Sequence, residues 1–281
     1  NDANKFVDRN TDSIALEYRV DPTNNVTLAV GARHDNNDVF DDANTWKFEG
    51  IYRLDDSTRL RGSVGTAIKN PTFSELYGIY SGFESNPDLT PEKSQSWELG
   101  IDKGLLDDRL ELRATYFSAE LEDEIATAFK CVQNCDNADW MDDVWASSPG
   151  NIQGISKQKG LELASSWLIN DFFVMDASYT YSDATQEGVD EVRRANNIGS
   201  VNLLWRSTGD FTLNANAQYN GSQTDIGGVT LDAFTLVNLN ASWTATDKLN
   251  VYLRLDNLFD ESYQEVFGYQ TLGFGASLGL R

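Results

Sequence analysis

Histidine, cysteine, proline and long apolar runs are all scarce in this chain of 281 residues, and each shortage excludes something. His34 is the only histidine, so a multi-histidine metal site cannot be built and a catalytic triad finds little support. No apolar run approaches the roughly 18 residues that a membrane helix needs. There are 5 prolines, no Pro/Ser-rich linker and no break in composition, so the chain reads as one unit. Lys and Arg number 22 against 44 Asp and Glu, and the formal charge of −22 argues against a nucleic-acid partner. It suits a solvated acidic surface, with divalent-cation binding as the sharper alternative. No glycine motif is placed to cradle phosphate between a strand and a helix. Carboxylate pairs are so numerous that chance accounts for them. No catalytic residue is assigned, and an enzyme is not expected. With neither an initiator Met nor a signal peptide, the sequence reads as mature or trimmed.

The two cysteines sit in Cys131-Val-Gln-Asn-Cys135. This spacing permits a small disulfide loop in an oxidising compartment. A reduced pair or half a zinc site are the rivals, the latter disfavoured because His34 lies far away in sequence.

What the chain has in abundance is alternation. Phe211, Leu213, Ala215, Ala217 and Tyr219 fall on one face of a strand, and Thr212, Asn214, Asn216, Gln218 and Asn220 on the other. Val237, Leu239, Ala241 and Trp243 repeat the pattern, as do Leu249, Val251, Leu253 and Leu255. About thirteen such segments are expected, near residues 12–20, 25–35, 45–54, 57–67, 95–103, 109–120, 155–167, 172–183, 197–206, 210–220, 234–244, 248–257 and 271–281. No segment carries a sustained helical stripe.

The connectors alternate between tight and long. Asp21-Pro22-Thr23-Asn24, Asp55-Asp56, Asn170-Asp171, Ser207-Thr208-Gly209 and Thr246-Asp247 carry turn chemistry. Long connectors lie between them, at about 36–44, 68–94, 121–154, 184–196, 221–233 and 258–270. In an up-and-down sheet all tight turns then share one side and all long loops the other, as in an outer-membrane barrel. A soluble sandwich also alternates. The barrel is favoured by strand length and number, by segregated connectors and by polar faces such as Arg59/Arg61, Glu111/Arg113 and Arg254/Asp256. Aromatics near strand ends (Trp46, Tyr52, Trp97, Trp167, Trp205, Trp243) add interfacial girdles.

Two stretches carry a family resemblance. The first is Lys69-Asn70-Pro71-Thr72-Phe73-Ser74-Glu75-Leu76-Tyr77-Gly78, followed by Asn86-Pro87-Asp88-Leu89-Thr90-Pro91-Glu92-Lys93-Ser94 and Trp97-Glu98-Leu99-Gly100. The second is Asp256-Asn257-Leu258-Phe259-Asp260-Glu261-Ser262-Tyr263, running into Gly268-Tyr269-Gln270-Thr271-Leu272-Gly273. Together they resemble the C-terminal barrel of TonB-dependent outer-membrane receptors. The Gly-Tyr-Gln-Thr segment leans toward the cobalamin branch, with ferric-siderophore receptors as the alternative. The resemblance implies an all-β fold, an antiparallel transmembrane barrel of 22 strands closed by a plug. Residues 1–281 would then be a partial barrel domain lacking the plug, the TonB box and roughly nine strands. It further implies a bacterial outer-membrane location, the TonB energy-transducing system as partner through the plug, contact with membrane lipid and lipopolysaccharide, and uptake of a scarce nutrient complex. A passive porin or surface adhesin is the alternative from another class.

Binding is expected in the long loops, where a rigid scaffold displays variable segments. The candidates are Phe73, Tyr77 and Tyr80, then Phe129, Trp140 and Trp145, then Tyr269 and Gln270, because aromatic faces suit a ring-rich ligand. Asp35, Asp38, Asp41 and Asp42 form an oxygen-rich stretch. Calcium prefers such ligands, although the spacing does not match an EF-hand and a solvated turn is the plainer reading.

Overall fold

The computed structural model describes residues 7–78, 83–133 and 144–281. In chain order its elements are β1 (Thr11–Thr23), β2 (Val26–Asn37), β3 (Ala43–Asp55), β4 (Thr58–Lys69), α1 (Phe73–Tyr77), β5 (Glu92–Leu105) and β6 (Leu110–Glu122). There follow β7 (Ile125–Gln133), β8 (Val144–Asn151), β9 (Ile155–Asn170), β10 (Phe173–Gln186), β11 (Val189–Asp190) and β12 (Asn197–Arg206). The last are β13 (Phe211–Asn220), β14 (Gln223–Asp225), β15 (Val229–Leu231), β16 (Phe234–Thr246), β17 (Leu249–Asp256) and β18 (Gly275–Leu280). Thirteen strands form one antiparallel wall in the order β1-β2-β3-β4-β5-β6-β9-β10-β12-β13-β16-β17-β18, with β11 paired to β10. Each wall strand pairs with its neighbour in sequence, except where a loop hairpin intervenes. β1 and β18 lie at the two ends of this path, so the wall is open.

Register turns the alternation of single strands into two chemically distinct faces. Leu255, Leu239, Ala215, Leu203, Met175, Trp167 and Leu110 stand opposite one another in succession across seven strands. On the other face the neighbouring row reads Asn238, Asn216, Asn202, Asp176, Ser166 and Glu111. A slip of one residue in any strand would exchange its faces, so two rows of this purity fix the register strongly.

The apolar face is not buried. Leu99 is 62% exposed and Leu278 73% exposed, and no second layer covers them among the described residues. A soluble sandwich packs that face against another sheet. Here it is left for lipid, and the polar face lines the interior. The buried apolar residues lie elsewhere: Leu76, Leu89, Ala146, Ala195 and Leu231 all belong to the long-connector side. Aromatic rings edge the lipid face. Phe173, Trp205 and Phe211 form a chain near the tight turns, with ring centroids 6.3 and 5.6 Å apart. Trp97 and Tyr116 pair at 5.5 Å further toward the long loops.

The tight turns close by side-chain acceptors. Asn170 Oδ1 accepts from the backbone N–H groups of Phe172 and Phe173 at 2.9 and 3.0 Å, and Asp55 Oδ1 accepts from that of Ser57 at 2.8 Å. The inward face is knitted by its own polar groups. Arg59 Nε reaches Asp102 at 2.5 Å, Arg61 Nε reaches the same carboxylate at 3.4 Å, and Asn214 donates to Asn202 at 2.9 Å.

Three features depart from the sequence expectation. The connectors at 68–94 and 121–154 are not bare loops, for they hold α1 and the β7–β8 hairpin, and β11 and β14–β15 stand in later ones. A five-residue helix and two- or three-residue strands are too short to show a period. The last strand starts at Gly275 rather than 271. Residues 271–274 are drawn into the preceding loop instead: the Thr271 hydroxyl donates to Tyr263 O at 2.7 Å, and the Phe274 N–H to Asp260 Oδ1 at 2.7 Å.

In the full-length protein, Leu163→Arg on the outer face is expected to destabilise the folded barrel by about 2–4 kcal/mol if it lies near the bilayer midplane. The inward-facing Asn216→Lys should change stability by less than about 1 kcal/mol. Reversible denaturant titration in lipid vesicles measures both. Equal costs would mean the faces are misassigned.

Candidate functional site

The long-loop side is organised by buried polar side chains. In the connector after β4, Pro71 is fully buried and Thr72 caps α1. Thr72 Oγ1 accepts from the Glu75 N–H at 3.3 Å, while Glu75 Oε2 accepts from the Thr72 N–H at 2.6 Å, a reciprocal capping box. Gly78, at φ +68°, then ends the helix where other residues would be strained. The same connector is tied to the one after β6. Asn86 Nδ2 donates to Pro149 O at 3.1 Å, and Asn151 both accepts from the Thr90 N–H (2.8 Å) and donates to Thr90 O (2.9 Å). Leu76 and Leu89 of this connector are buried. The Arg9 guanidinium lies over the rings of Phe40 and Phe73, 5.5 and 5.2 Å from their centroids.

A second knot joins the last three long connectors. Asp225, at the end of β14, is 1% exposed. Its Oδ1 accepts from Arg193 Nε and from the Ile226 N–H, both at 2.6 Å, and its Oδ2 from the Phe267 N–H at 2.6 Å. The Arg193 N–H donates to Thr224 O at 2.7 Å, and Gln223 Nε2 to Glu265 O at 2.9 Å. Gly227 and Gly228, at φ +80° and +74°, allow the hairpin that follows Asp225. Bonds to the Phe267 and Ile226 N–H groups and to Arg193 hold the Asp225 carboxyl below the usual carboxylate range, against the opposing effect of desolvation.

A third knot explains the motif Asp256-Asn257-Leu258-Phe259. Asn257 is buried with φ +48°, a conformation asparagine tolerates. Its side chain donates to Glu261 O (2.9 Å) and accepts from the Glu261 N–H (2.8 Å), and its own N–H donates to Asn238 Oδ1 at 2.9 Å. The motif therefore anchors the start of the last loop to β16.

The residues expected to bind are distributed around this side. Phe73 and Tyr77 stack on α1 with centroids 6.4 Å apart, and Phe73 is exposed. Trp145 is exposed on β8. Tyr269 and Gln270 are exposed on the last loop. The structure thus brings Phe73 together with Tyr77 and sets Tyr269 and Gln270 on a separate loop. Tyr80, Trp140 and Cys135 lie outside the described residues, as does the side chain of Phe129. Cys131 is disulfide-bonded. The four aspartates have protein partners. Asp35 is buried against Arg33 Nε (2.8 Å) and Ser13 (2.5 Å), Asp38 accepts from the Asn10 N–H at 3.0 Å, and Asp42 from the Asn37 N–H at 3.1 Å. Asp41 contributes its backbone carbonyl to Asn37 Nδ2. Among the described residues no three His, Cys, Asp or Glu side chains gather to hold a metal ion.

Sequence spacing does not mark Asp225, Arg193 or Asn257 as organisers of a site. Arg193 and Phe267 stand 32 and 42 residues from Asp225, beyond any local spacing rule. The only local signal is the Gly-Gly pair that follows.

A family model described as TonB dependent receptor-like, beta-barrel matches residues 1–258. The chain is 32% identical over 251 residues to the vitamin B12 transporter BtuB of Photobacterium profundum, covering 87% of this chain and 39% of that protein. It is 31% identical over 252 residues to the vitamin B12 transporter BtuB of Vibrio vulnificus, covering 86% of this chain and 36% of that protein. The chain thus spans well under half the length of these curated relatives. A solved mutant of the ferric enterobactin receptor PfeA from Pseudomonas aeruginosa, in complex with enterobactin, superposes with a TM-score of 0.77 at 20% identity. That match covers 96% of this chain and 45% of the other, and it establishes likeness of fold.

Because its folded-state pKa is depressed, Asp225 stabilises the knot in full above the ordinary carboxylate value of about 4. That contribution is lost as pH falls from there through the lower folded value. Hydrogen exchange on full-length protein should find the Ile226 and Phe267 amides protected at neutral pH and released on acidification below about 4, while β13 amides stay protected. In Asp225→Ala both amides should exchange freely at neutral pH. Unchanged protection in that variant would show that other contacts hold the knot.

Proposed function

The chain belongs to the TonB-dependent receptor β-barrel family, and from that membership we propose that it forms the C-terminal wall of an outer-membrane importer for a scarce nutrient complex, cobalamin first. The observation that carries the reading is the open thirteen-strand wall, apolar outward and polar inward, with its long connectors gathered at one mouth. A rigid wall of this kind holds loops for capture, while its polar interior accepts a water-soluble cargo. The lean to cobalamin rests on two relatives named as vitamin B12 transporters. A siderophore receptor is the second reading, drawn from the fold likeness to a ferric enterobactin receptor.

In this reading no covalent step is needed. Loops at the mouth bind the cargo from outside, and a plug within the complete barrel occludes the passage. The TonB system, powered across the inner membrane, shifts the plug and releases the cargo inward. A ligand moves such a gate only by binding its two states differently, so capture and release belong to different states of the loops and plug.

Titration calorimetry of the full-length protein in detergent tests this directly. Saturable binding of cyanocobalamin at micromolar concentration or tighter, without TonB present, is the expected result. Binding of ferric enterobactin alone would keep the family role and replace the cargo. Binding of neither would overturn the cargo assignment.

A further inference from the structure

The knot around Asp225 does more than close three loops, because of what it presents. Both backbone N–H groups it engages belong to residues with apolar side chains held out to solvent: Ile226 is 65% exposed and Phe267 57% exposed. Tyr269, two residues further, is 73% exposed, beyond the turn closed by its own N–H bond to Val266 O at 3.1 Å. Exposed apolar side chains on flexible loops lose entropy when they bind, whereas the Ile226 and Phe267 backbones are already fixed by a buried carboxylate and that of Tyr269 by the turn that follows Phe267.

The charge around them is one-sided. Between the wall strands, the long connectors run over 38–42, 70–91, 123–154, 187–196, 221–233 and 257–274. Their sequences hold no histidine, and Lys130, Arg193 and Arg194 are their only cationic residues. Arg193 is engaged by Asp225, and Arg194 pairs with Glu191. At the rim of the wall, Lys69 pairs with Glu92 at 3.0 Å and Lys157 with Glu120 at 3.1 Å, Arg9 is engaged by Pro71 O and the Phe40 and Phe73 rings, and Lys93 is exposed at the start of β5. The connectors 221–233 and 257–274 contain no cation at all, yet hold Asp225, Asp232, Asp260, Glu261 and Glu265. A mouth with such a field repels anions and lowers their encounter rate.

We propose that Asp225 is a positioning residue that holds Ile226, Phe267 and Tyr269 as a preformed contact surface for an uncharged or cationic ring-rich ligand, and that the cation-poor mouth discriminates against polyanionic iron chelates. The inference rests on the importer reading and narrows its cargo. Charge complementarity selects the occupant: the surface offers aromatic and aliphatic contact, but no free cation on the clamped loops to compensate a multiply charged anion.

The test uses full-length protein in detergent with two probes, cyanocobalamin and ferric enterobactin, and the variants Phe267→Ala, Ile226→Ala and Asp225→Asn. Cyanocobalamin is expected to bind the unaltered protein, and ferric enterobactin at least about a hundredfold more weakly. Phe267→Ala and Ile226→Ala should each weaken cyanocobalamin at least about tenfold without changing amide exchange in the β14–β15 hairpin. Asp225→Asn should weaken binding and release the Ile226 and Phe267 amides together, which separates positioning from contact. If cyanocobalamin binds and neither apolar variant weakens it, the proposal falls while the importer reading stands. If ferric enterobactin binds as tightly as cyanocobalamin, the charge argument falls. If neither probe binds, the cargo reading and the proposal fall together.

Discussion

In a bilayer every peptide N–H and C=O must find its partner within the protein, because the hydrocarbon offers none. The rest of this structure follows from that constraint. Thirteen strands meet it by pairing edge to edge, and the pairing runs unbroken from β1 to β18. Among the described residues β1 and β18 each keep one unpaired edge, and those edges need partners before the wall can reside in lipid. Once the ladder is fixed, period 2 assigns every side chain to lipid or interior, and the rows through Leu239 and Asn238 are the outcome.

The same constraint governs the long-loop side, where the wall's ladder does not reach. There the backbone is satisfied by a few buried polar side chains, each used several times. Asp225 takes three donors, and Asn257 bonds Glu261 in both directions. Leaving any such group unpaired in a buried place costs about 1–3 kcal/mol, so these knots fix loop shape more strongly than surface contacts do. They give the connectors a defined shape and sign of charge.

The wall is legible in the sequence because its code is local. Alternation at 210–220 and 234–244, and turn residues such as Asn170 and Asp55, need no knowledge of distant residues, and the wall strands stand near the expected positions. The family motifs are legible too, but their physical work is not: Pro71, Thr72 and Asn257 scaffold loops. The Asp225 knot is unreadable because Arg193 and Phe267 are brought to it only by the completed wall. Residues 271–274 read as the start of a strand and instead serve the Asp260 and Asn257 network, since a side-chain acceptor there competes with the ladder.

A spin-label accessibility scan along residues 234–244 of the full-length protein in lipid distinguishes the lipid-facing side of the wall from the interior. Labels at 237, 239, 241 and 243 should be open to dissolved oxygen and shielded from a polar nickel chelate, and labels at 238, 240 and 242 should show the reverse. An absent or inverted alternation would mean that the row through Leu239 does not face lipid.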